Sequence, residues 1–265
     1  MKRLFILLLL AVPVQAAPSD PTRYAACIEL ALKDPARALE LAYAWRLDSG
    51  TSVPVRHCLA VAQMHARHHD AALKNYEAAG IASEDANDGQ AIALWRQAAD
   101  AALIAQRPAE AVRFLTRALT RPGGAILSPR AEADLRLARA EALVESGKLT
   151  EAMADLDAVT SSVPDNITGW LLKATLHRRQ SELPAAETAL LKAAALAPEA
   201  PDVTLEAGNI AAAKGDMALA RQAWEAAAAD GADTPAGQAA NAALGRSATA
   251  VQKPLTPDAP PATPR

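Results

Sequence analysis

The chain has 265 residues, with 27 Lys and Arg against 30 Asp and Glu, for a formal net charge of −3. That mild acidity argues against nucleic acid or an anionic membrane surface as partner, since both are bound through cationic surface. Apolar residues make up 51% of the chain but aromatic residues only 3%, so the interior must rest largely on alanine. Alanine favours helix and lets helices approach closely. No alternating run of strand length occurs, and the class predicted is all-α.

Residues 1–16 have the layout of a secretory signal. Lys2 and Arg3 precede an apolar run from Leu4 to Val12, and Val14-Gln15-Ala16 offers small residues for cleavage before Ala17. The run is shorter than the roughly 20 residues of a membrane span, which leaves an uncleaved anchor as the lesser alternative. The mature chain is expected to be exported, to be periplasmic, and to keep no stable membrane span. Loss of Lys2 and Arg3 takes the net charge from −3 to −5.

From about residue 17 to 245 the chain is predicted to be a run of helical hairpins. A first window opens near Ser19, with Ala26 and Ala38 at the positions that recur later. Its break is Lys33-Asp34-Pro35, where Asp34 can cap a helix and Pro35 can take its first position. A second window from Val53 carries Ala60, Ala72, Tyr76 and Ala79. A third from Ile92 carries Trp95, Ala99, Ala111, Leu115 and Ala118. Extra residues between windows fall in the polar Ser83–Gly89 stretch and around Arg121-Pro122-Gly123-Gly124-Ala125, both expected to be longer turns.

The last three windows superpose without a gap. They begin at Ala133, Ile167 and Pro201, 34 residues apart. Place eight holds Ala140, Ala174 and Gly208, and place twenty holds Ala152, Ala186 and Ala220. Place twenty-four holds Leu156, Leu190 and Trp224, and place twenty-seven Val159, Ala193 and Ala227. Polar breaks at Ser146-Gly147-Lys148, Ser181-Glu182 and Lys214-Gly215-Asp216 divide each window into two amphipathic halves. Pro164 and Pro198 stop the second half in the first two. A hairpin cannot bury its apolar stripe alone, whereas stacked hairpins bury each other's. After Thr234, residues 235–245, with Ala239, Ala242, Ala243 and Leu244, are expected to close the stack as a helix. The Pro-rich residues 246–265 are predicted to be disordered.

These windows resemble the tetratricopeptide repeat, most closely in Trp170, Ala174, Ala186, Leu190, Ala193 and Pro198. The aromatic residue usual at place eleven is replaced by Leu143, His177 and Ala211. The resemblance implies a right-handed α-solenoid of about six stacked helix-turn-helix hairpins, capped by the closing helix. It also implies that places two, five, nine, twelve and thirteen face a concave groove. In the second window those places give His57 and Met64, and in the third Arg96, Asp100 and Leu103. The fourth gives Leu137, Glu141, Val144 and Glu145, the fifth Leu171, Thr175, Arg178 and Arg179, and the sixth Leu205 and Asn209. The lining mixes apolar surface with Arg suited to carboxylates. The function implied is a non-enzymatic scaffold that binds a peptide segment or partner protein in that groove, with cell-envelope assembly as its expected setting. No His-Glu-x-x-His, Gly-x-Ser-x-Gly, phosphate-loop or dinucleotide motif occurs, and no cofactor is expected.

Cys27 and Cys58, on the first helices of neighbouring hairpins, are an even pair in a chain predicted to be exported, which favours a disulfide. His57, His65, His68 and His69 fall within thirteen residues. A metal-binding module using His57, His65 and His69 is the alternative function, set against solvated histidines at a helix end. Trp95, Trp170 and Trp224 are expected in the core, and Asn166 as a helix cap rather than a glycosylation site.

Overall fold

Six second helices begin sixteen residues after the start of their windows, so the sequence period is also the structural one. A computed structural model describes residues 20–120 and 122–252, with side chains through Ser247. Thirteen α-helices and no strand occur among the described residues. They fall into two compact units that divide between Ala105 and Gln106. The first unit holds α1 (Asp20–Lys33), α2 (Pro35–Ser49), α3 (Val53–His65), α4 (His69–Ala86) and α5 (Ala91–Ile104). The second holds α6 (Pro108–Leu119), α7 (Pro129–Glu145), α8 (Leu149–Ser162), α9 (Ile167–Arg179), α10 (Leu183–Leu196), α11 (Pro201–Ala213), α12 (Met217–Asp230) and α13 (Pro235–Gln252). The residues of the predicted signal, and 253–265 of the predicted tail, lie outside the described residues.

The turn inside five of the six hairpins has one solution. Place fifteen is Arg67, Gln106, Gly147, Ser181 and Gly215 in the last five windows, and each has a left-handed φ between 59° and 87°. The following amide then reaches back to close the helix end, as Lys148 N does to Leu143 O at 2.8 Å and Glu182 N to His177 O at 2.9 Å. The first hairpin turns differently. Asp34 accepts from Arg37 N at 3.1 Å and Pro35 opens α2, as its sequence predicts. Asn166 likewise caps α9, accepting from Gly169 N at 2.7 Å.

Within each unit, small residues let the paired helices touch. Ala60, Ala72, Ala79, Ala99, Ala111, Ala118, Ala140, Ala152, Ala174, Ala186, Ala193, Ala220 and Ala227 are all buried. The sixth window shows the trade between size and space most sharply. Trp224 fills place twenty-four, and place eight is Gly208, where an added Cβ would lie 2.5 Å from Trp224 Cδ1 and 3.1 Å from the Ala220 carbonyl. The first window departs from the pattern. Ala26 is exposed and Cys27 takes the buried position beside it.

Three expectations at the ends and inserts change. The extra residues at Ser83–Gly89 mostly lengthen α4, because Ser83 Oγ donates to Asp88 Oδ1, which also accepts from Gln90 N at 2.9 Å, and Asn87 ends the helix in a left-handed conformation. The closing helix continues seven residues past Gly245, and its buried face is Ala236, Ala240 and Ala243 rather than Ala239 and Ala242. It packs on α11 and α12, completing the cluster around Trp224. Trp95 and Trp224 are buried, but Trp170 is only half-buried and donates its Nε1–H to Pro164 O at 2.9 Å, tying α9 to the turn before it.

In the first unit two links join α1 to α3 side by side. Cys27 and Cys58 are brought to disulfide distance, with Cα atoms 6.1 Å apart. One helical turn away, Tyr24 hydroxyl donates to His57 Nδ1 at 2.7 Å, and His57 Nε2–H donates to Gln97 Oε1 on α5. His57 is 9% exposed, and burial lowers its pKa below the ordinary 6.5. The neighbouring Tyr76 is pushed up to about 12, chiefly by burial.

Two measurements check this packing. Gly208→Ala is expected to lower unfolding stability by about 1–3 kcal/mol through overpacking, and adding Trp224→Leu to recover part of the loss. Equal losses in the single and double variants would show that the glycine is not sized to the tryptophan. For His57 the native imidazole refuses a proton that the unfolded chain accepts. Its contribution is therefore intact above pH 6.5 and declines as pH falls through that value. Chemical denaturation at pH 7.5 and 5.5 is expected to show a smaller loss in His57→Gln than in the parent. An identical loss would remove His57 from the pH response.

Candidate functional site

The second unit joins neighbouring hairpins in two different ways at the same two repeat places. Between α9 and α11, place twelve of one window is Arg178 and place six of the next is Glu206. Arg178 Nε and Nη2 donate to the Glu206 carboxylate at 2.7 and 3.2 Å, and Glu206 is 4% exposed. Asn209 Nδ2 adds a bond to Glu206 at 3.1 Å, and Trp224 Nε1 donates to Asn209 Oδ1 at 3.1 Å. The seam is closed by a chain of polar contacts running through α9, α11 and α12.

Between α7 and α9 the same places hold Val144 and Leu172. No ion pair can form there, and a cavity of about 220 Å³ opens instead. Ala140, Leu156 and Leu176 join Val144 and Leu172 in an apolar lining, and Glu141, Glu145, Thr175 and Arg179 bring polar groups to it. Leu156 comes from α8, where a buried carboxylate fixes the helix pair. Asp155, 2% exposed, accepts from Arg139 Nε and Nη2 at 2.7 Å each and from Arg136 Nη1 at 3.0 Å. Arg136 also bonds Glu132 at 2.8 Å. Arg136 and Arg139 are thereby held on Asp155, on the α8 side of α7.

Of the residues expected to face a groove, Glu141, Val144, Glu145, Thr175 and Arg179 are brought together at this cavity. Arg178 and Asn209 belong to the closed seam, and Leu137 is part of the core cluster with Leu143, Leu156 and Val159. Leu171 and Leu205 are half-buried. In the first unit, Arg96 Nε pairs with Asp100 at 3.0 Å along α5, one turn before the half-buried Leu103. Met64 is half-buried on α3. Sequence reasoning passed over Leu156, Leu172 and Leu176, which are indistinguishable by type from core leucines. The signal that finds them is the swap of Arg and Glu for Val and Leu at places twelve and six.

The histidines do not assemble. His57 has both ring nitrogens engaged, His65 ends α3, and His68 and His69 begin the next helix. Among the described residues no three His, Cys, Asp or Glu side chains come together in a way that would hold a metal ion. The metal-module alternative thus loses its proposed ligand set. No described helix is long and apolar enough to cross a membrane.

No protein-family model matches the sequence, and no curated protein matches it. Solved structures do resemble it. PilW, a widely conserved type IV pilus biogenesis factor, superposes with a TM-score of 0.59 at 15% identity, over 84% of this chain and 99% of that one. YrrB, a TPR protein with an unusual peptide-binding site, gives 0.50 at 15%, over 76% and 97%. Yeast Tom70 gives 0.56 at 16%, over 89% of this chain and 49% of its own. Helix pairs in phase with the sequence period, small residues at their contacts and these likenesses together establish that the chain has the tetratricopeptide-repeat (TPR) fold.

Proposed function

We propose that this chain is an exported, non-enzymatic scaffold of the cell envelope that binds a peptide segment or partner protein in the groove between α7 and α9. The observation that carries the reading is the open seam. Places twelve and six tie one pair of hairpins with a buried ion pair, and at the next pair they leave apolar surface exposed to a cavity. An apolar lining with a few polar groups around it is the ordinary make-up of a binding site. A peptide-binding site is named for YrrB and pilus biogenesis for PilW. Those properties are theirs, and they favour a scaffold role in an envelope setting here. The signal-like residues 1–16 favour export, and in an oxidising compartment the Cys27–Cys58 pair forms a disulfide.

The groove is tested by closing it. Val144→Arg with Leu172→Glu transplants the Arg178–Glu206 pair to the open seam. The variant is expected to stay helical and folded while losing at least about tenfold in affinity for whatever envelope proteins the parent chain captures. Equal capture by folded parent and variant would place binding elsewhere. The disulfide is tested by thiol titration and unfolding. The exported chain is expected to show no reactive thiol, and reduction to cost about 3–4 kcal/mol, with no effect of reductant on Cys27→Ala/Cys58→Ala. Two reactive thiols in the exported, folded chain would overturn the pairing.

A further inference from the structure

The two links between α1 and α3 are neighbours on both helices. Tyr24 and Cys27 lie one turn apart on α1, and their partners His57 and Cys58 are consecutive on α3. The α1–α2 hairpin meets the rest of its unit chiefly through α3, so both links sit on the contact that holds it down. Beneath the hairpin, Cys27, Ala42 and Trp45 join Val55, Cys58 and Leu59 of α3 in one buried cluster. A cross-link that holds Cys27 against Cys58 also holds Tyr24 against His57, raising the effective concentration of one partner at the other.

The imidazole of His57 has an opening to solvent. A cavity of about 270 Å³ lies between α1, α3 and the start of α5, with Asp20, Tyr24, Val53, His57, Gln90 and Leu94 in its lining. The polar groups facing His57 are Tyr24 and Asp20 from α1, Tyr76 from α4 and Gln97 from α5, with Asp100 of α5 acting on Tyr76. Asp20 accepts from Trp45 Nε1 at 3.2 Å, and Asp100 pairs with Arg96. Burial holds the imidazole neutral, against the opposing pull of the bond to Gln97. A proton on Nδ1 would turn that atom from acceptor to donor, so the Tyr24 hydroxyl could no longer donate to it. It would also put a charge in a buried place. Lifting α1 relieves both.

We propose that the α1–α2 hairpin is a latch with two coupled links, which lifts off α3 readily only when the disulfide is reduced and His57 is protonated together. The lifted state uncovers Val55, Leu59 and Val61 of α3 as an apolar face. The latch rests on the Cys27–Cys58 pairing proposed above. Its reductant is an external dithiol. The two sulfurs of the dithiol bond to each other, its two hydrogens pass to Cys27 and Cys58, and the protein S–S bond breaks. With every thiol protonated, that exchange takes up no proton from solvent. Its equilibrium is then independent of pH below the thiol range, near 8.5, unless another group is linked to it.

Coupling is reciprocal. Reduction raises the proton affinity of His57, and protonation favours reduction. The oxidised full-length chain is equilibrated with dithiothreitol at pH 7.0 and pH 5.0, and its reduced fraction is read by mass after acid quenching. The equilibrium constant for reduction is expected to rise at least about fivefold at pH 5.0, and to stay flat in His57→Gln. Titration of the His57 imidazole by NMR needs no variant. Its midpoint is expected to lie lower in the oxidised than in the reduced chain. Amide exchange is expected to quicken in α1 and α2, ahead of α4 and α5, only when the chain is reduced at pH 5.0. A flat constant in the parent, or equal midpoints, would overturn the coupling and leave the disulfide standing. The parent's pH dependence retained in folded His57→Gln would assign it to another group. Exchange rising equally in α1, α2, α4 and α5 would mean global unfolding rather than a latch. Two reactive thiols before any dithiol is added would overturn the pairing, and the latch with it.

Discussion

Everything in this fold depends on two helices of a hairpin lying close enough for alanine to fill the space between them. A buried alanine removes little apolar area from water, and at about 25 cal/mol per Å² it stabilises far less than a leucine. The chain offsets this by repetition of a tight contact and by a few large side chains placed where the contact is widest. Gly208 under Trp224 is the extreme case, and Ala140 under Leu156 the common one. The same tightness makes the pattern unforgiving, since a single added methyl at Gly208 has nowhere to go.

A lean apolar interior leaves orientation to be fixed by polar contacts. Asp155 between Arg136 and Arg139 sets α7 on α8, and Glu206 between Arg178 and Asn209 sets α9 on α11. Buried pairs of this kind add little net stability when formed, but losing one partner costs about 3–5 kcal/mol. They therefore specify which face meets which more than they strengthen the fold. Against this background the seam between α7 and α9 stands out by what replaces the pair. Val144 and Leu172 are compatible with the same helices at the same spacing, so the repeat is preserved while one of its joints becomes a surface. A solenoid can carry a site in this way without strain, because neighbouring hairpins on either side hold the helices in place.

Most of the architecture was legible in the sequence because it is periodic. Second helices at Pro35, His69, Pro108, Leu149, Leu183 and Met217 fall where the windows put them. The caps at Asp34 and Asn166 were legible for a local reason, the chemistry of a short polar side chain beside a helix start. What was not legible depends on partners far along the chain. Arg178 and Asn209 read as groove residues until Glu206 is seen buried between them. Leu156 read as core and is buried there, but a leucine at a helical spacing carries no mark of whether it, like Leu172 and Leu176, also borders a cavity. Left-handed Arg67, Gln106 and Ser181 were missed since only glycine advertises that conformation. Ala26 failed because the first window is a half-register in which Cys27, not the alanine, meets the next hairpin.

That last failure has a physical sequel. A terminal hairpin has a neighbour on one side only, so it opens more easily than any hairpin inside the array. The first hairpin is weaker still, having lost both the alanine at place eight and the left-handed turn shared by the other five. The compensation lies on the face of α1 that meets α3. Tyr24 and Cys27 are one turn apart on α1, and their partners His57 and Cys58 are adjacent on α3. The hydrogen bond depends on a neutral imidazole with its proton on Nε2, where Gln97 accepts it. The cysteine pair depends on the redox state of its surroundings. Terminal order in this unit is thus placed on side chains that respond to acid and to reductant, while the seams of the second unit rest on Arg–carboxylate ties in a stretch that holds no cysteine.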